Sequence, residues 1–208
     1  MVRPFVKPGR TTNTPRLNLT HSKPPLAKLP QFVDNRAVNK STNTEQTATI
    51  ATEKSRFKPR VTVASIVAHP DDALLPLNLR RFLYVEEWIN NTRQLNQPAG
   101  HLDPNESLLE AAVRETLEET AWNVALEHLV AIYQYQTAER AFVRFTFAAK
   151  ALAYTGAALD VGIIQALWLT RSELTAHPSN MRSPMVLQGL DQYFEGARHS
   201  LDVLRALA

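Results

Sequence analysis

The sequence has 208 residues, 44% of them hydrophobic, no cysteine and a formal net charge of +3 at pH 7. Its length and hydrophobic content suffice for one packed domain. The lack of cysteine excludes disulfides, thiolate metal sites and cysteine nucleophiles, and it fits a reducing compartment. No apolar run approaches the roughly 18 to 20 residues that a membrane-spanning helix needs. We therefore expect a water-soluble, cytoplasmic protein with one globular domain.

The positive charge is concentrated near the start of the chain. Residues 1–55 contain nine Lys or Arg and three Asp or Glu, whereas residues 56–208 contain fourteen and seventeen. The first 55 residues also include six prolines and many Thr, Asn and Ser, a composition that buries too little apolar surface to offset chain entropy. We predict a disordered basic extension over 1–55 and the folded domain over 56–208. A solvated tail is favoured over a targeting or nucleic-acid-binding role.

Sequence periodicity in the second part predicts five strands, which are rich in β-branched and aromatic residues. They cover residues 57–68, 81–86, 129–135, 141–147 and 163–169. The short polar stretch between the third and fourth strands favours a β-hairpin. Residues 69–72 indicate a turn and residues 88–92 a loop. Together with the helices below, this pattern predicts an α/β fold in which helices pack on a mixed sheet.

Capping signals and periodicity predict the helices. Residues 106–120 contain several alanines and neither Gly nor Pro, and Asn105 precedes them as a candidate N-cap. The stretch from Thr170 to Glu173 matches a capping box, so a short helix is expected there, ending at Pro178. Residues 182–206 predict one or two amphipathic helices with a break near Gly196.

Three carboxylates share one flank of the helix predicted over residues 106–120. At 100° per residue, Glu115, Glu118 and Glu119 are neighbours at i, i+3 and i+4. Such carboxylates raise one another's pKa by repulsion, and a divalent cation would remove the conflict. Oxygen ligands of this kind suit Mg²⁺ first and Mn²⁺ second. On this spacing alone, a solvated Glu-rich face with weak ion pairs to Arg114 stays open as the alternative. The face expected to pack on the sheet contains Leu109, Ala112, Val113 and Thr116.

A longer pattern around the helix favours the metal interpretation. It has the form Gly-x5-Glu-x7-Arg-Glu-x-x-Glu-Glu and begins after a strand-like segment. This pattern resembles the signature of the Nudix hydrolase superfamily. Its fixed positions here are Gly100, Glu106, Arg114, Glu115, Glu118 and Glu119.

Two residues depart from the Nudix pattern. Thr116 replaces an aliphatic residue, and its hydroxyl can bond back to a helical carbonyl. Ala121 replaces the glycine that closes the helix, and a left-handed conformation there would cost about 1 kcal/mol relative to Gly. We expect a slightly altered helix end and retained metal binding, and an activity below that of typical relatives would be consistent with these departures.

The resemblance extends from about residue 57 to about residue 195. The segments 96–103 and 180–186 are similar to the NudJ-type branch of Nudix phosphatases. The resemblance implies a Nudix-type α/β/α sandwich and a Mg²⁺-dependent hydrolase of pyrophosphate-linked small molecules. The branch is associated with nucleoside di- and triphosphates and with the pyrophosphates of thiamine and its hydroxymethylpyrimidine precursor. We expect a phosphorylated small-molecule substrate, neither a membrane nor a nucleic-acid partner, and an oligomeric state that stays open with a monomer favoured.

The resemblance also implies roles for individual residues. The carboxylates of Glu115, Glu118 and Glu119 would bind Mg²⁺ together with the carbonyl oxygen of Ala99. One of the carboxylates, with Glu115 and Glu119 favoured, would orient or deprotonate the attacking water. Bases from distant loops are used in some relatives, and the candidates here are Glu139 and Asp160. Supporting roles fall to Gly100, Glu106 and Arg114.

Substrate contacts are predicted for His101, Arg144 and Arg182, with either arginine able to pair with phosphate. Four further residues are candidates for the same cleft: Tyr84, Glu86, Gln97 and Tyr133. Each has a structural alternative, because tyrosines in strands are commonly half-buried and single arginines commonly form surface ion pairs.

The rival hypothesis is a non-catalytic Nudix-fold ligand sensor or regulator whose basic tail contacts nucleic acid. Such proteins commonly lose carboxylates of the pattern. Because all four glutamates are present here, the enzyme is the favoured interpretation.

Overall fold

The computed structural model describes residues 57–177 and 179–206. The predictions for residues 1–55 and Pro178 lie outside these residues. Across the described chain there are eight strands and three α-helices. The strands are β1 (Arg60–Ala68), β2 (Arg81–Ile89), β3 (Thr92–Asn96), β4 (Ala99–His101), β5 (Trp122–Gln136), β6 (Ala141–Tyr154), β7 (Ile163–Thr170) and β8 (Asn180–Met181), and the helices are α1 (Leu108–Thr120), α2 (Arg171–Ala176) and α3 (Met185–Phe194).

The eight strands form one mixed sheet around β1 and β2. Strand β1 pairs in parallel with β6 along its whole length and antiparallel with β4 on its other edge. Strand β2 pairs antiparallel with both β3 and β7, and β1 meets it at the pair Ala68 and Phe82. The main order is β5-β6-β1-β2-β3-β8. The predicted mixed sheet is confirmed.

The two faces of β1 contact different helices. Val63 packs with Ala111 and Ala112 of α1. Ile66, which points to the opposite face, packs in the cluster that includes Val186 and Leu190 of α3. Full burial of an aliphatic side chain contributes roughly 1.5 to 3 kcal/mol, so both faces stabilise the fold. The result is the predicted α/β/α sandwich. None of the helices in the described residues is long and apolar enough to cross a membrane.

Four of the predicted strands are longer than expected, the first begins three residues later than expected, and one predicted loop is wrong. Strands β5 and β6 form a long hairpin, closed by a 2.8 Å bond from the Thr137 amide to the Arg140 carbonyl. The segment 88–92 is not a loop, because β2 continues to Ile89 and β3 begins at Thr92. Asn90 and Asn91 form the two-residue turn, with φ values of 49° and 60°. Asparagine tolerates this left-handed conformation, which such hairpin turns require.

The smaller helices largely follow their sequence signals. The Thr170 hydroxyl accepts the Glu173 amide at 3.2 Å, and the Glu173 carboxylate accepts the Thr170 amide at 2.8 Å, so the capping box of α2 is confirmed. Helix α3 is followed by Gly196 at φ 89°, as predicted. Beyond it the chain forms a 3-10 turn at Leu201–Val203 instead of a second α-helix. The turn predicted at 69–72 is a 3-10 turn over Pro70–Asp72.

The start of α1 corrects the predicted N-cap. The cap is Ser107, whose hydroxyl accepts the Glu110 amide at 3.2 Å, while the Glu110 carboxylate accepts the Ser107 amide at 2.8 Å. Asn105 lies in the preceding turn at φ 68°. The helix therefore begins at Leu108, and the Ser-x-x-Glu capping box was the stronger signal.

The end of α1 has the left-handed geometry that a glycine at this position would adopt, so the slightly altered helix end expected from the sequence is not seen. Ala121 has φ 58° and ψ 19°, and its amide donates to the Leu117 carbonyl at 2.8 Å. The Ala121 carbonyl accepts both the amide and the hydroxyl of Thr155, at 2.8 and 3.0 Å. These two contacts from the residue that follows β6 hold the alanine in a conformation that favours glycine.

Candidate active site

The glycine of strand β4 lets the helix carboxylates approach the sheet. Gly100 pairs with Val63 of β1. A Cβ atom at Gly100 would lie 2.0 Å from both Cδ and Oε1 of Glu115. Any side chain at position 100 would therefore displace Glu115, which explains why the pattern requires glycine there.

Arg114 connects α1 to the segment before it. Its guanidinium binds both carboxylate oxygens of Glu106, at 2.9 and 2.7 Å, and donates to the His101 carbonyl at 3.1 Å. It also donates to Glu115 at 3.0 Å and to Glu118 at 2.9 Å. The hydrogen bonds from Arg114 hold the pKa of Glu106 below its usual value, and those carboxylates raise the pKa of Arg114. This bidentate pair fixes the position of the loop relative to the helix.

Glu119 is the most buried carboxylate of the helix flank, with 9% of its surface exposed. It accepts the Ala99 amide at 2.8 Å. Burial, reinforced by the charge of Glu115, raises the pKa of Glu119 to about 8. Burial also raises the pKa of Glu115, whereas the side chain of Glu118 is 39% exposed. The two inner carboxylates are therefore in an environment that disfavours negative charge unless a cation is bound.

The carboxylates of α1 fit a hard divalent cation in their chemistry. Within the ranges that the structure describes, no three His, Asp or Glu side chains form a preassembled metal cluster. Glu115 and Glu118 instead contact Arg114. The donor set is nevertheless all oxygen, it lies on adjacent turns, and Ala99 on β4 is directly beside Glu119. A cation bound between Glu115 and Glu119 would lower their raised pKa values, because a positive charge favours the ionised carboxylates.

A cleft of about 1130 Å³ adjoins this flank of α1. It brings together eight residues singled out in the sequence: Ala99, Gly100, His101, Glu115, Glu119, Glu139, Arg144 and Arg182. Asp160 does not line the cleft. It is exposed, and its amide donates to the Glu118 carbonyl at 3.0 Å, which places it beside the outer part of the helix. Of the two loop carboxylates predicted as alternative bases, only Glu139 lines the cleft.

Arg144 is a buried cation on the cleft wall, with 4% of its surface exposed. The Nη2 of Arg144 donates to the side-chain oxygen of Gln97 at 2.9 Å. The Nε of Arg144 has no hydrogen-bond partner in the described residues. Burial lowers the pKa of Arg144 to about 10, so the group stays charged at neutral pH. Burial likewise lowers the pKa of His101, which is therefore neutral there. Arg182 donates to Gln94 at 3.3 Å.

The prediction that four further residues face the cleft is wrong. Tyr84 is buried in the core between the sheet and α3. Glu86 is buried, where it accepts bonds from the Ser179 hydroxyl at 2.6 Å and from Gln165 at 2.9 Å. The side-chain amide of Gln97 donates to the Val186 carbonyl at 3.1 Å. The Tyr133 hydroxyl donates to the Gln192 side chain at 2.7 Å. Both contacts connect the sheet layer to α3.

Several polar residues that line the cleft were missed in the sequence, among them Glu87, Asn96 and Ser183. The signal for Glu87 was an acidic pair that follows the four buried residues 82–85 of β2. Successive side chains of a strand point to opposite faces, so Glu86 and Glu87 lie in different environments. Alternation separates the two side chains but does not reveal which face borders the cleft.

Thr116 has a defined partner in the sheet. Its hydroxyl donates to the Ala112 carbonyl at 2.7 Å and lies 2.8 Å from the Ser65 hydroxyl of β1. The predicted bond to a helical carbonyl is confirmed. A buried hydroxyl thus replaces the aliphatic contact of the family pattern without leaving an unpaired polar group.

The fold and the site together define a class of protein. Within an α/β/α sandwich, a helix with clustered carboxylates lies against a strand whose glycine allows close approach, at the edge of a cleft. This is the architecture of a Nudix hydrolase. The model of the NUDIX domain matches residues 58–188. The chain therefore belongs to the Nudix family, whose hydrolases generally use divalent metals.

The relatives with known names place the chain within the family. It is 36% identical over 150 residues to Phosphatase NudJ of Escherichia coli K12, covering 71% of this chain and 92% of that protein. A Nudix hydrolase structure from Nitrosomonas europaea matches with a TM-score of 0.65 and 36% identity, covering 72% of this chain and 98% of that one. The NUDIX domain of Shewanella oneidensis NrtR, solved with ADP ribose, shares the fold at 17% identity and a TM-score of 0.53, covering 69% of this chain and 92% of that one. The chain is a hydrolase of the NudJ type.

Proposed function

We propose that the protein is a Mg²⁺-dependent hydrolase of pyrophosphate-linked small molecules, in which water attacks a phosphorus atom. The substrates proposed are nucleoside di- and triphosphates, thiamine pyrophosphate and hydroxymethylpyrimidine pyrophosphate. The observation that carries this proposal is the placement of Glu115 and Glu119 with the buried cation Arg144 on one cleft. A site with both a metal-type acidic flank and a fixed positive charge suits a phosphate chain.

Different residues of this chain have different roles in the proposed reaction. Glu115, Glu118 and Glu119, with the carbonyl oxygen of Ala99, would hold the cation. A bound divalent cation neutralises phosphate charge and lowers the pKa of a bound water. Glu115 or Glu119 orients the attacking water and accepts its proton. Arg114 stays engaged with Glu106 and thereby fixes the helix against the loop.

Positive side chains in the cleft would bind the phosphates. Arg144 is held by Gln97 and cannot swing away, so its charge is preorganised. Arg182 is more exposed and lies at the same cleft. Because His101 is neutral at pH 7, it would act as a hydrogen-bond donor or acceptor and not as a cation.

The proposal is tested with the purified full chain and a panel of the substrates named above. We expect release of phosphate or pyrophosphate with Mg²⁺ or Mn²⁺ and none in chelator. Hydrolysis in ¹⁸O-labelled water, followed by ³¹P NMR, identifies the phosphorus that is attacked. Turnover that persists in chelator would contradict the metal requirement. Binding of the panel without turnover would indicate a sensor instead of an enzyme.

A matched pair of substitutions assigns the activity to the acidic flank. Glu118→Gln removes a proposed ligand from a partly exposed position and should abolish metal-dependent turnover. Glu127→Gln makes the same chemical change at an exposed position of β5 outside the cleft and should leave turnover intact. Equal activity of the two variants would refute the assignment of Glu118.

A further inference from the structure

The wall of the cleft contains polar atoms with no partner. Oε1 of Glu87, Nε of Arg144 and Oγ of Ser183 are buried and form no hydrogen bond within the described residues. All three residues line the same cleft. Leaving such atoms unpaired is costly, and native proteins rarely bury several together without a ligand or water to satisfy them. The set offers one acceptor and two donors to a molecule in the cleft.

The geometry of β2 directs Glu87 into the cleft. Alternation along the strand puts the two acidic side chains on opposite faces of β2, and Glu86 is satisfied elsewhere by Ser179. Arg182 approaches Oε1 of Glu87 only to 3.8 Å, beyond hydrogen-bond distance. Oε1 of Glu87 therefore keeps its capacity to accept a bond from a ligand. Burial raises the pKa of Glu87, and the Arg182 guanidinium partly opposes that rise. A carboxyl oxygen can accept a hydrogen bond from a ligand in either ionisation state.

Aromatic side chains form another part of the cleft lining. Tyr135 of β5 and Phe142 of β6 are cross-strand partners whose rings stack with centroids 6.4 Å apart and planes 28° apart. Both line the cleft, as do Trp88 and Ile89 at the end of β2. Flat apolar and aromatic surfaces of this kind pack well against a planar ring. A planar heterocycle with polar edge atoms would therefore satisfy both parts of the lining.

We propose that Glu87 is a specificity-determining residue that accepts a hydrogen bond from an exocyclic amino group on the heterocycle of the substrate. Ser183 donates to the adjacent ring nitrogen, while Arg144 binds the phosphates as proposed above. Cytosine, adenine and aminopyrimidines share this edge, an amino group beside an unprotonated ring nitrogen. Uracil reverses both positions, so its carbonyl oxygen would face the Glu87 carboxylate. The inference rests on the proposed function, because it names the substrate class of the same cleft.

The inference is tested by comparing CTP with UTP, which differ only at this edge. For the full chain with Mg²⁺, we expect kcat/KM to favour CTP on the order of 10- to 100-fold, the range for one buried hydrogen bond to a charged group. In Glu87→Gln the amide can also donate to the uracil oxygen, so the preference should fall to about twofold or less. Glu127→Gln, exposed and outside the cleft, should keep the preference.

Equilibrium binding separates recognition from catalysis. The affinities of CDP and UDP for each variant are measured by calorimetry, after thermal unfolding has shown that the variant is folded. A wild-type protein that binds and cleaves both bases equally, or a preference that Glu87→Gln leaves unchanged, would overturn the inference. An equal loss of CTP and UTP turnover at an unchanged ratio would also overturn it, since Glu87 would then act on the shared phosphates. A Glu87-dependent preference for CDP in a protein without turnover would refute the proposed function and support the inference.

Discussion

Asp72 and Glu119 are both buried carboxylates, 3% and 9% exposed, but their surroundings are opposite in charge. Asp72 accepts three hydrogen bonds from Arg81, from its amide at 2.9 Å and its guanidinium at 2.8 and 2.7 Å. Arg81 thereby holds the pKa of Asp72 far below its usual range. Glu119 accepts a backbone amide and lies near other acids, and burial raises its pKa to about 8.

The difference separates a structural carboxylate from a functional one. Asp72 closes the 3-10 turn Pro70–Asp72 onto the first residue of β2, and its charge is fully compensated by Arg81. The folded protein would compensate an ionised Glu119 poorly, so burial favours the protonated form of this carboxyl group when no cation is bound. Strongly perturbed acids in a cleft are characteristic of functional sites. Replacing each carboxylate by its neutral amide should therefore affect different properties. Glu119→Gln should lower the activity, and Asp72→Asn should lower the stability.

The largest expected effect is the loss of activity in Glu119→Gln. Glutamine keeps an acceptor for the Ala99 amide but lacks the charge that binds a cation. We expect kcat to fall by about 10³-fold, equivalent to several kcal/mol of lost metal stabilisation. The free energy of unfolding in metal-free buffer at pH 7 should stay equal or rise, because burying Glu119 requires protonating a group that is ionised in the unfolded chain, whereas glutamine is neutral in both states. Steady-state kinetics and urea unfolding measure the two quantities. A variant that loses stability but keeps its turnover would remove the distinction between the two carboxylates.

Asp72→Asn should have the converse result. The amide leaves Arg81 with a weaker, neutral partner, so we expect a loss of about 2 kcal/mol in the free energy of unfolding. The figure lies below that for a fully buried pair, because the Arg81 side chain is 41% exposed and partly screened by water. Asp72 does not line the cleft, so kcat/KM of the folded fraction should change less than twofold. Urea unfolding and kinetics below the unfolding transition measure these values. A large drop in kcat/KM of the folded fraction would link this turn to the active site.

The pH dependence of stability gives a third test. The folded-state pKa of Asp72 is lowered from 3.8, so the unfolded chain binds a proton at higher pH than the folded one. The contribution of Asp72 is therefore complete above pH 3.8 and is lost as the pH falls through the folded-state pKa. The stability difference between the wild-type protein and Asp72→Asn should be constant from pH 7 to pH 5 and shrink below pH 3.8. Urea unfolding at several pH values measures it. A difference that grows on acidification would show the opposite pKa shift.

The sequence predicted those parts of the fold that depend on local signals. The flank of α1, the capping box at Thr170 and the β5–β6 hairpin each follow from the spacing of a few residues, and the structure contains all three. The turn at Asn90 and Asn91 was missed because asparagine signals a loop as readily as a two-residue hairpin. Only the pairing of β2 with β3, a contact outside the turn, selects between them.

The cleft was predictable only in part, because its walls come from distant strands. Glycine and glutamate spacing located one side, formed by β4 and α1. The opposite side depends on which face of β2 borders the cleft, because alternation along this strand places Glu87 at the cleft and Glu86 in the interior. It also depends on Arg144, whose neighbour Gln97 was expected to contact substrate and instead holds the arginine in place. Which of two adjacent polar residues faces a ligand is decided by tertiary packing and not by residue type.

The smallest expected effect concerns the end of α1, which sets the position of Glu119 relative to β4. Ala121 is fully buried and has φ 58°, so two contributions oppose each other in Ala121→Gly. Glycine adopts the left-handed conformation without the steric cost of a Cβ atom, which stabilises the folded protein by about 1 kcal/mol. Loss of one buried methyl group costs about 0.8 kcal/mol. The free energy of unfolding should therefore change by less than about 0.5 kcal/mol, measured by urea unfolding.

Activity in Ala121→Gly tests whether the departure from the family pattern matters for the site. Thr155 holds the Ala121 carbonyl with two hydrogen bonds, and these contacts involve only the backbone at position 121. The substitution keeps both of them, so Glu119 should keep its contact with the Ala99 amide. We expect kcat/KM to stay within about twofold of the wild-type value, less than 0.5 kcal/mol in transition-state free energy. A tenfold gain would show instead that the alanine displaces Glu119 and that the raised pKa of this carboxylate reflects a misplaced helix end.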